Sequence, residues 1–167
     1  MPLFSEKESP TILEPLPFAE WQQRPGWPAV SLANTDPVED LAPGADRLRL
    51  IVLNFPKFSD GRAYSQARLL RGRLGYRGEL RATGNVLQDQ VLFMLRCGFD
   101  SFESDQKGFS EALAKARTLF SVVYQPAEDG RTPPTLKVAE RIHGPRVGHA
   151  SPLRTAAPCG APRPPVG

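Results

Sequence analysis

Residues 29–125 predict an α/β domain, a small parallel sheet built from consecutive βαβ units with helices packed on it. Three observations predict it. The run Leu50–Leu53 is unbroken and apolar, the pattern of a strand covered on both faces. Three later segments carry a stripe at i, i+4, i+7 and i+11, the spacing of one helix face. Strand-like stretches alternate with those segments, which calls for right-handed crossovers and parallel strands. An open three-layer sheet suits the 167 residues better than a (β/α)8 barrel, which needs roughly 200 or more.

Taken in order, residues 1–28 read as an irregular arm punctuated by prolines, with Trp21 and Trp27 packing it onto the domain. "AVSLAN" (29–34) reads as a short strand, "DPVEDLAPGAD" as room for one helical turn, and "LRLIVLNF" (48–55) as the central strand. The first helical stripe is Ala63, Ala67, Leu70 and Leu74, the second Val86, Gln90, Phe93 and Cys97, the third Phe109, Leu113, Ala116 and Phe120. Asp60 is placed to cap the first helix, and Asn85 with Gln88 resembles a capping box for the second. Gly75 and Gly98 stand where a left-handed residue ends a helix. "GELRATG" (78–84), "FDSFES" (99–104) and "SVVYQ" (121–125) supply the remaining strands. Residues 126–167 are rich in proline and poor in aromatics, the composition of a disordered tail.

Charge and motif content narrow the function. Residues 1–125 hold 15 Lys/Arg against 15 Asp/Glu, whereas residues 126–167 hold 6 against 3, so the net +3 belongs to the tail. A neutral domain argues against nucleic acid as a partner. Two cysteines, and histidines only at 143 and 149, provide no four-ligand metal set in the folded part. There is no G-x-G-x-x-G after a strand and no Walker loop, so no nucleotide cofactor is expected. No apolar run reaches membrane-spanning length, and the opening residues lack the basic and apolar regions of a secretory signal. A cytoplasmic setting is the expectation.

In a parallel sheet the loops after the strands gather at one edge, where helical N–H groups favour anions. Lys57, Arg62 and Arg81 would bring cations there, with Asp60, Asn85, Asp89 and Gln90 completing the candidate anion site. Arg81 needs a carboxylate, a ligand or water, and a plain ion pair with Asp60 or Asp89 accounts for it equally well. Tyr64, Arg68 and Arg71 share a helical stripe away from the core face. That stripe is either a solvated face or a docking patch for an acidic partner. The second helix is apolar nearly all round, Leu92 and Leu95 included, so it lies deep in the core, under the arm, or against another chain in a homodimer or larger complex. Cys97, at a helix C-terminus on the apolar stripe, reads as a buried and inert thiol.

The stretch "LIVLNFPKFSDGRAYSQARLLRGRLGYRGELRATGNVLQDQVLFMLRCGFDSFE" (50–103) closely resembles the bacterial family DUF934. The family pattern F-P-x-F-x-D-G-R stands here from Phe55 to Arg62, followed by Tyr64-Ser65 and Ala67-Arg68-x-Leu70-Arg71. Gly78 to Ala82, Gly84, Asp89-Gln90 and Arg96 to Asp100 complete it. The resemblance implies a place beside assimilatory sulfite reduction, since family genes commonly neighbour those for sulfite reductase and members are often labelled probable oxidoreductases. It therefore implies an accessory protein that docks on the reductase or its electron donor, with any haem, iron–sulfur cluster or nicotinamide held by that partner. The residues alone leave a different class open, a small α/β enzyme or sensor that binds an oxyanion at the sheet edge.

Overall fold

The computed structural model describes residues 1–5, 10–24, 26–120, 123–125, 127, 128 and 131. It is an α/β fold around a six-stranded sheet in the order β1-β6-β5-β4-β3-β2, where β1 is Leu3–Ser5, β2 Leu16–Pro17, β3 Ala29–Leu32, β4 Leu50–Phe55, β5 Glu79–Gly84 and β6 Ser101–Glu103. Strands β2 to β6 are parallel, and β1 closes the far edge antiparallel to β6. The four interior strands foreseen from the apolar runs are all present. Two were not foreseen, because strands of three and two residues in the arm are too short to show a period. The end of the predicted series and the tail fall mostly outside the described residues, and Val123–Gln125 forms no strand.

Among the described residues four helical elements connect the strands and a fifth follows β6: α1 (Phe18–Gln23), a 3-10 segment (Val38–Arg47), α2 (Arg62–Arg68) running into a π turn (Leu69–Arg73), α3 (Val91–Arg96) behind a 3-10 turn (Gln88–Gln90), and last α4 (Phe109–Thr118). One core joins their buried residues, such as Leu41, Ala67, Met94 and Phe109, to Val30, Ile51, Leu53, Leu80, Ala82 and Phe102 of the sheet. Alternation along each strand puts those six on a single face. The other face has a separate, small cluster of Ala29, Leu50 and Val52, packed by Leu13 of the arm. The expected three-layer arrangement is therefore not what forms. Each parallel step moves one strand further in the same direction, and right-handed crossovers then place every helix on the same side.

The second face is covered instead by the arm. Strand β1 sits at one edge and β2 at the other, so residues 10–17 run across the sheet between them. Thr11 lies over β5, where it bonds Glu79 and Arg81, and Leu13 lies over β3 and β4. Trp27 fastens the strap by donating its indole N–H to the Glu14 carbonyl at 3.0 Å, and Trp21 donates to the Trp27 carbonyl at 3.1 Å. Trp21 is buried, as foreseen, whereas Trp27 stays 43% exposed.

Rings form a continuous spine through the helix side. Phe93, Tyr64, Phe55, Phe99, Phe102, Phe109 and Phe4 follow one another with centroids 4.9–6.4 Å apart. Four of them (Phe55, Phe99, Phe102 and Phe109) are almost wholly buried, each contributing about 1.5–3 kcal/mol of hydrophobic stabilisation. The spine ends at Phe93, which is 52% exposed although its stripe was expected to face inward. The helix was expected from Val86, but α3 begins only at Val91, after a 3-10 turn. Three residues per turn shift the phase, so Val91, Met94 and Leu95 face the core. The Asn85–Gln88 capping box is accordingly absent. Gln88 uses its backbone N–H on the Gln106 side chain and its own amide on the Lys107 carbonyl.

Candidate functional site

The loops after β4 and β5 do open on the same edge of the sheet. Phe55 is in register with Gly84, and Asn85 donates its N–H to the Phe55 carbonyl at 2.8 Å. Gly84 makes the turn with φ 91°, and a Cβ there would stand 2.5 Å from that carbonyl oxygen. Lys57, Asn85 and Asp89 are exposed at this edge. Asp60 accepts two bonds from the Arg62 side chain, at 3.0 and 2.7 Å, a third from its backbone N–H at 3.1 Å, and one from Asn34 at 2.5 Å. The bonds from Arg62 lead in holding the Asp60 carboxyl down to about 2, so it is a permanent anion that occupies the Arg62 fork. Gln90 ties the loop to α3 by donating to the Phe58 carbonyl at 3.2 Å, while its Oε1 is buried with no hydrogen-bond partner.

Arg81 is not at this edge. It is paired with Val52 and Ser101 in mid-sheet, about 10 Å short of where β4 ends, and its side chain lies on the helix-free face. Nor does it meet Asp60 or Asp89. Its guanidinium donates to Glu79 at 2.8 Å, to the Thr11 carbonyl at 2.6 Å, and over 3.4 Å to Glu103 and to Ser101. Glu79, 3% exposed, also accepts from Ser101 Oγ at 2.6 Å and from the Thr11 N–H at 2.6 Å. Burial pushes the Glu79 carboxyl up, but the bonds from Ser101, Arg81 and Thr11 outweigh it and leave the carboxyl below its ordinary range. The spacing of two on a strand was the available signal for this pair, since residues i and i+2 share a face.

The three cations proposed for an oxyanion thus do not converge. Lys57 stands in the loop, Arg62 is engaged by Asp60, and Arg81 lies on the other face. A hollow of about 340 Å³ at the ends of β3 and β4 is lined by Pro17, Phe18, Ser31, Asp36 and Asn54 among others, and its one charged group, Asp36, is itself an anion.

The second candidate set fares differently. Arg71 is neither solvated nor a docking residue. It donates to the carbonyls of Gly98, Tyr76 and Gly78 at 2.8–3.0 Å and to Asp100 at 2.5 Å, with its guanidinium 5.4 Å from the Tyr76 ring centre. Leu95 is buried and Leu92 half-buried, both packed into the core, so that part of the second helix is covered by its own fold while Phe93 is not. Tyr64 and Arg68 do reach the surface. The Tyr64 ring is held between Phe55 and Phe93 at 5.1 and 4.9 Å, and burial pushes its phenol up to about 12. Its hydroxyl is buried with no hydrogen-bond partner. Arg68, Phe93, Arg96, Cys97, Gln125 and Ala127 line a dent of about 110 Å³ beside it. Cys97 is 2% exposed and burial raises its thiol, as an inert cysteine requires. Phe93 and Phe120, both on stripes expected to face inward, are half-exposed, as is Phe58 in the loop, because an outward-facing ring reads like an inward one.

Among the described residues no group of His, Cys, Asp and Glu is placed to hold a metal, and no helix is long and apolar enough to cross a membrane. The family model for bacterial proteins of unknown function, DUF934, matches residues 29–135, well over half of the chain. The protein belongs to DUF934. No curated protein sequence matches it. The DUF934 match begins at the first residue of β3 and takes in the central strands β3 to β6, the Arg71–Asp100 anchor, and the surface around Phe93.

Proposed function

We propose that this DUF934 protein is a cytoplasmic accessory factor of assimilatory sulfate and sulfite reduction, and that it docks on sulfite reductase or on its electron donor through the surface around Phe93. The observation that carries the docking surface is Phe93 itself: a ring 52% exposed, tilted 59° against Tyr64 and flanked by Arg68 and Arg96. Half-exposed aromatics with arginines are the composition of interface anchors. The Tyr64 Oη, in the ring packed against Phe93, is a buried polar atom without a hydrogen-bond partner. The link to sulfite reduction is supported by the gene neighbourhood that the family resemblance implies.

The topology also favours binding over catalysis. Ligand crevices in parallel sheets open where the strand order reverses direction, and from β2 to β6 this order never reverses. Purification of the tagged chain from a native extract checks the reading. The wild type is expected to retain sulfite reductase activity, and the Phe93→Ala, Arg68→Glu double variant to lose it while keeping the wild-type circular dichroism. A wild type that never retains the reductase, in a strain whose deletion mutant grows normally on sulfate, refutes the proposal.

A further inference from the structure

The helix-free face holds a second recognition site, built independently of the docking surface. Glu79 and Arg81 form a receptor whose parts are fixed by their own contacts: to each other at 2.8 Å, Ser101 to Glu79 at 2.6 Å, and Thr83 to Glu103 at 3.0 Å behind Arg81. What this receptor holds is main chain. The Thr11 N–H donates to Glu79, and the Thr11 carbonyl accepts from Arg81, each at 2.6 Å. An acceptor and a donor spaced to take both polar groups of one extended residue read backbone, as a sheet edge does.

Of the strap's side chains, the Thr11 hydroxyl adds a bond to Glu79, and the others contribute little. Ile12 is 92% exposed, Leu13 alone packs on Ala29, Leu50 and Val52, and Glu14 is held by its carbonyl. With the strap in place Glu79 and Arg81 are 3% and 6% exposed, so a segment that covers them must bond both charged groups. Whichever extended segment lies across the sheet meets that need. The segment whose fit is already demonstrated is residues 10–14 of this same chain. In a second copy it would offer the same bonds with β1 following to the same edge, so exchange loses no contact.

We propose that the Glu79–Arg81 pair is a main-chain clamp, and that the N-terminal strap of a second copy of this chain can occupy it in place of the chain's own. The test is the fluorescence anisotropy of a labelled peptide of residues 1–14 titrated with full-length protein. Thr11→Pro in the protein removes both the N–H and the hydroxyl that bond Glu79, and so weakens the resident strap without altering the clamp. The peptide is expected to bind the Thr11→Pro protein about tenfold or more tighter than the wild type. A peptide that itself carries Thr11→Pro is expected to bind neither. Should the Thr11→Pro protein lose the wild-type circular dichroism, Leu13→Ala, which trims only the apolar anchor of the strap, takes its place with the same expectation. Equal affinity for wild type and variant, or no binding to either, overturns the proposal.

Discussion

Replacing Arg71 by Met tests whether the π turn after α2 is held by one side chain. The guanidinium serves four acceptors: three carbonyls, from Gly98, Tyr76 and Gly78, and the Asp100 carboxylate, which also accepts the Leu80 N–H at 2.9 Å. Arg71 and Asp100 side chains are 11% and 17% exposed, so water replaces few of these bonds. Removing one member of such a pair costs about 3–5 kcal/mol, because the partner charge stays behind unpaired. At a slope of roughly 1.5–2 kcal/mol per M, the urea midpoint is expected to fall by about 2 M. Arg71→Lys keeps the charge but not the fork, and is expected to recover less than half of that loss. The exposed Arg68→Met, one helical turn earlier, is the control and should stay within about 0.5 kcal/mol of wild type. An Arg71→Met protein whose midpoint matches the Arg68→Met control would show that the four bonds carry no net stability, and the structural role assigned to Arg71 would fall.

Three further outcomes follow from particular residues. Gly84→Ala forces a left-handed φ of 91° on alanine and brings its Cβ against the Phe55 carbonyl and Asn54, so a loss of about 2 kcal/mol or more is expected in denaturant melts. The raised Cys97 thiol should react with a chromogenic disulfide at pH 8 at least about a hundredfold more slowly in the native state than in urea, measured in a Cys159→Ser background. Asp60, with a folded value of about 2 against an ordinary 3.8, binds its proton less readily when folded. Its stabilising effect is therefore complete above pH 3.8 and lost as pH falls through about 2. Carboxyl NMR should give a midpoint near 2, and a value near 3.8 would mean that the Arg62 fork is open in solution.

The parts of this fold legible in the sequence are those with a long period. Leu50–Leu53 announced β4, and Ala63, Ala67 and Leu70 announced the buried face of α2; each is fully buried. Gly75 and Gly98 take the left-handed angles expected of them, φ 65° and 96°. The failures have one cause, that pattern reports a residue's type and not its direction. Phe93 was read as core because it is apolar, and Arg71 as surface because it is charged. A short 3-10 turn rotated the first outward, and three backbone carbonyls with the Asp100 carboxylate drew the second inward. Arg81 was placed correctly on a strand but aimed at the wrong neighbours, since loop carboxylates were weighed ahead of Glu79 on its own strand face. Trp21 and Trp27 announced that the arm packs on the domain, but its path across the sheet left no period to read, because it is held largely through its main chain.

Strand order governs where this molecule can act. Had the order reversed once, helices would lie on both faces and a crevice would open at the reversal. Without it, one face is a helix layer and the other is bare sheet, and a parallel sheet bare on one face is unstable unless something extended covers it. The arm meets that requirement through main-chain bonds to a buried ion pair. The helix layer buries most of its apolar surface, and the aromatic spine emerges from it at Phe93. The two places at which the fold presents something unfinished are thus on opposite sides of the sheet, joined through β4 and β5, and neither depends on the other's residues. Arg68→Glu should leave strap exchange untouched, and Thr11→Pro should leave retention of the reductase untouched. If either substitution disturbed the other side, the two faces would be one functional unit, and the separation of docking from strap binding would have to be abandoned.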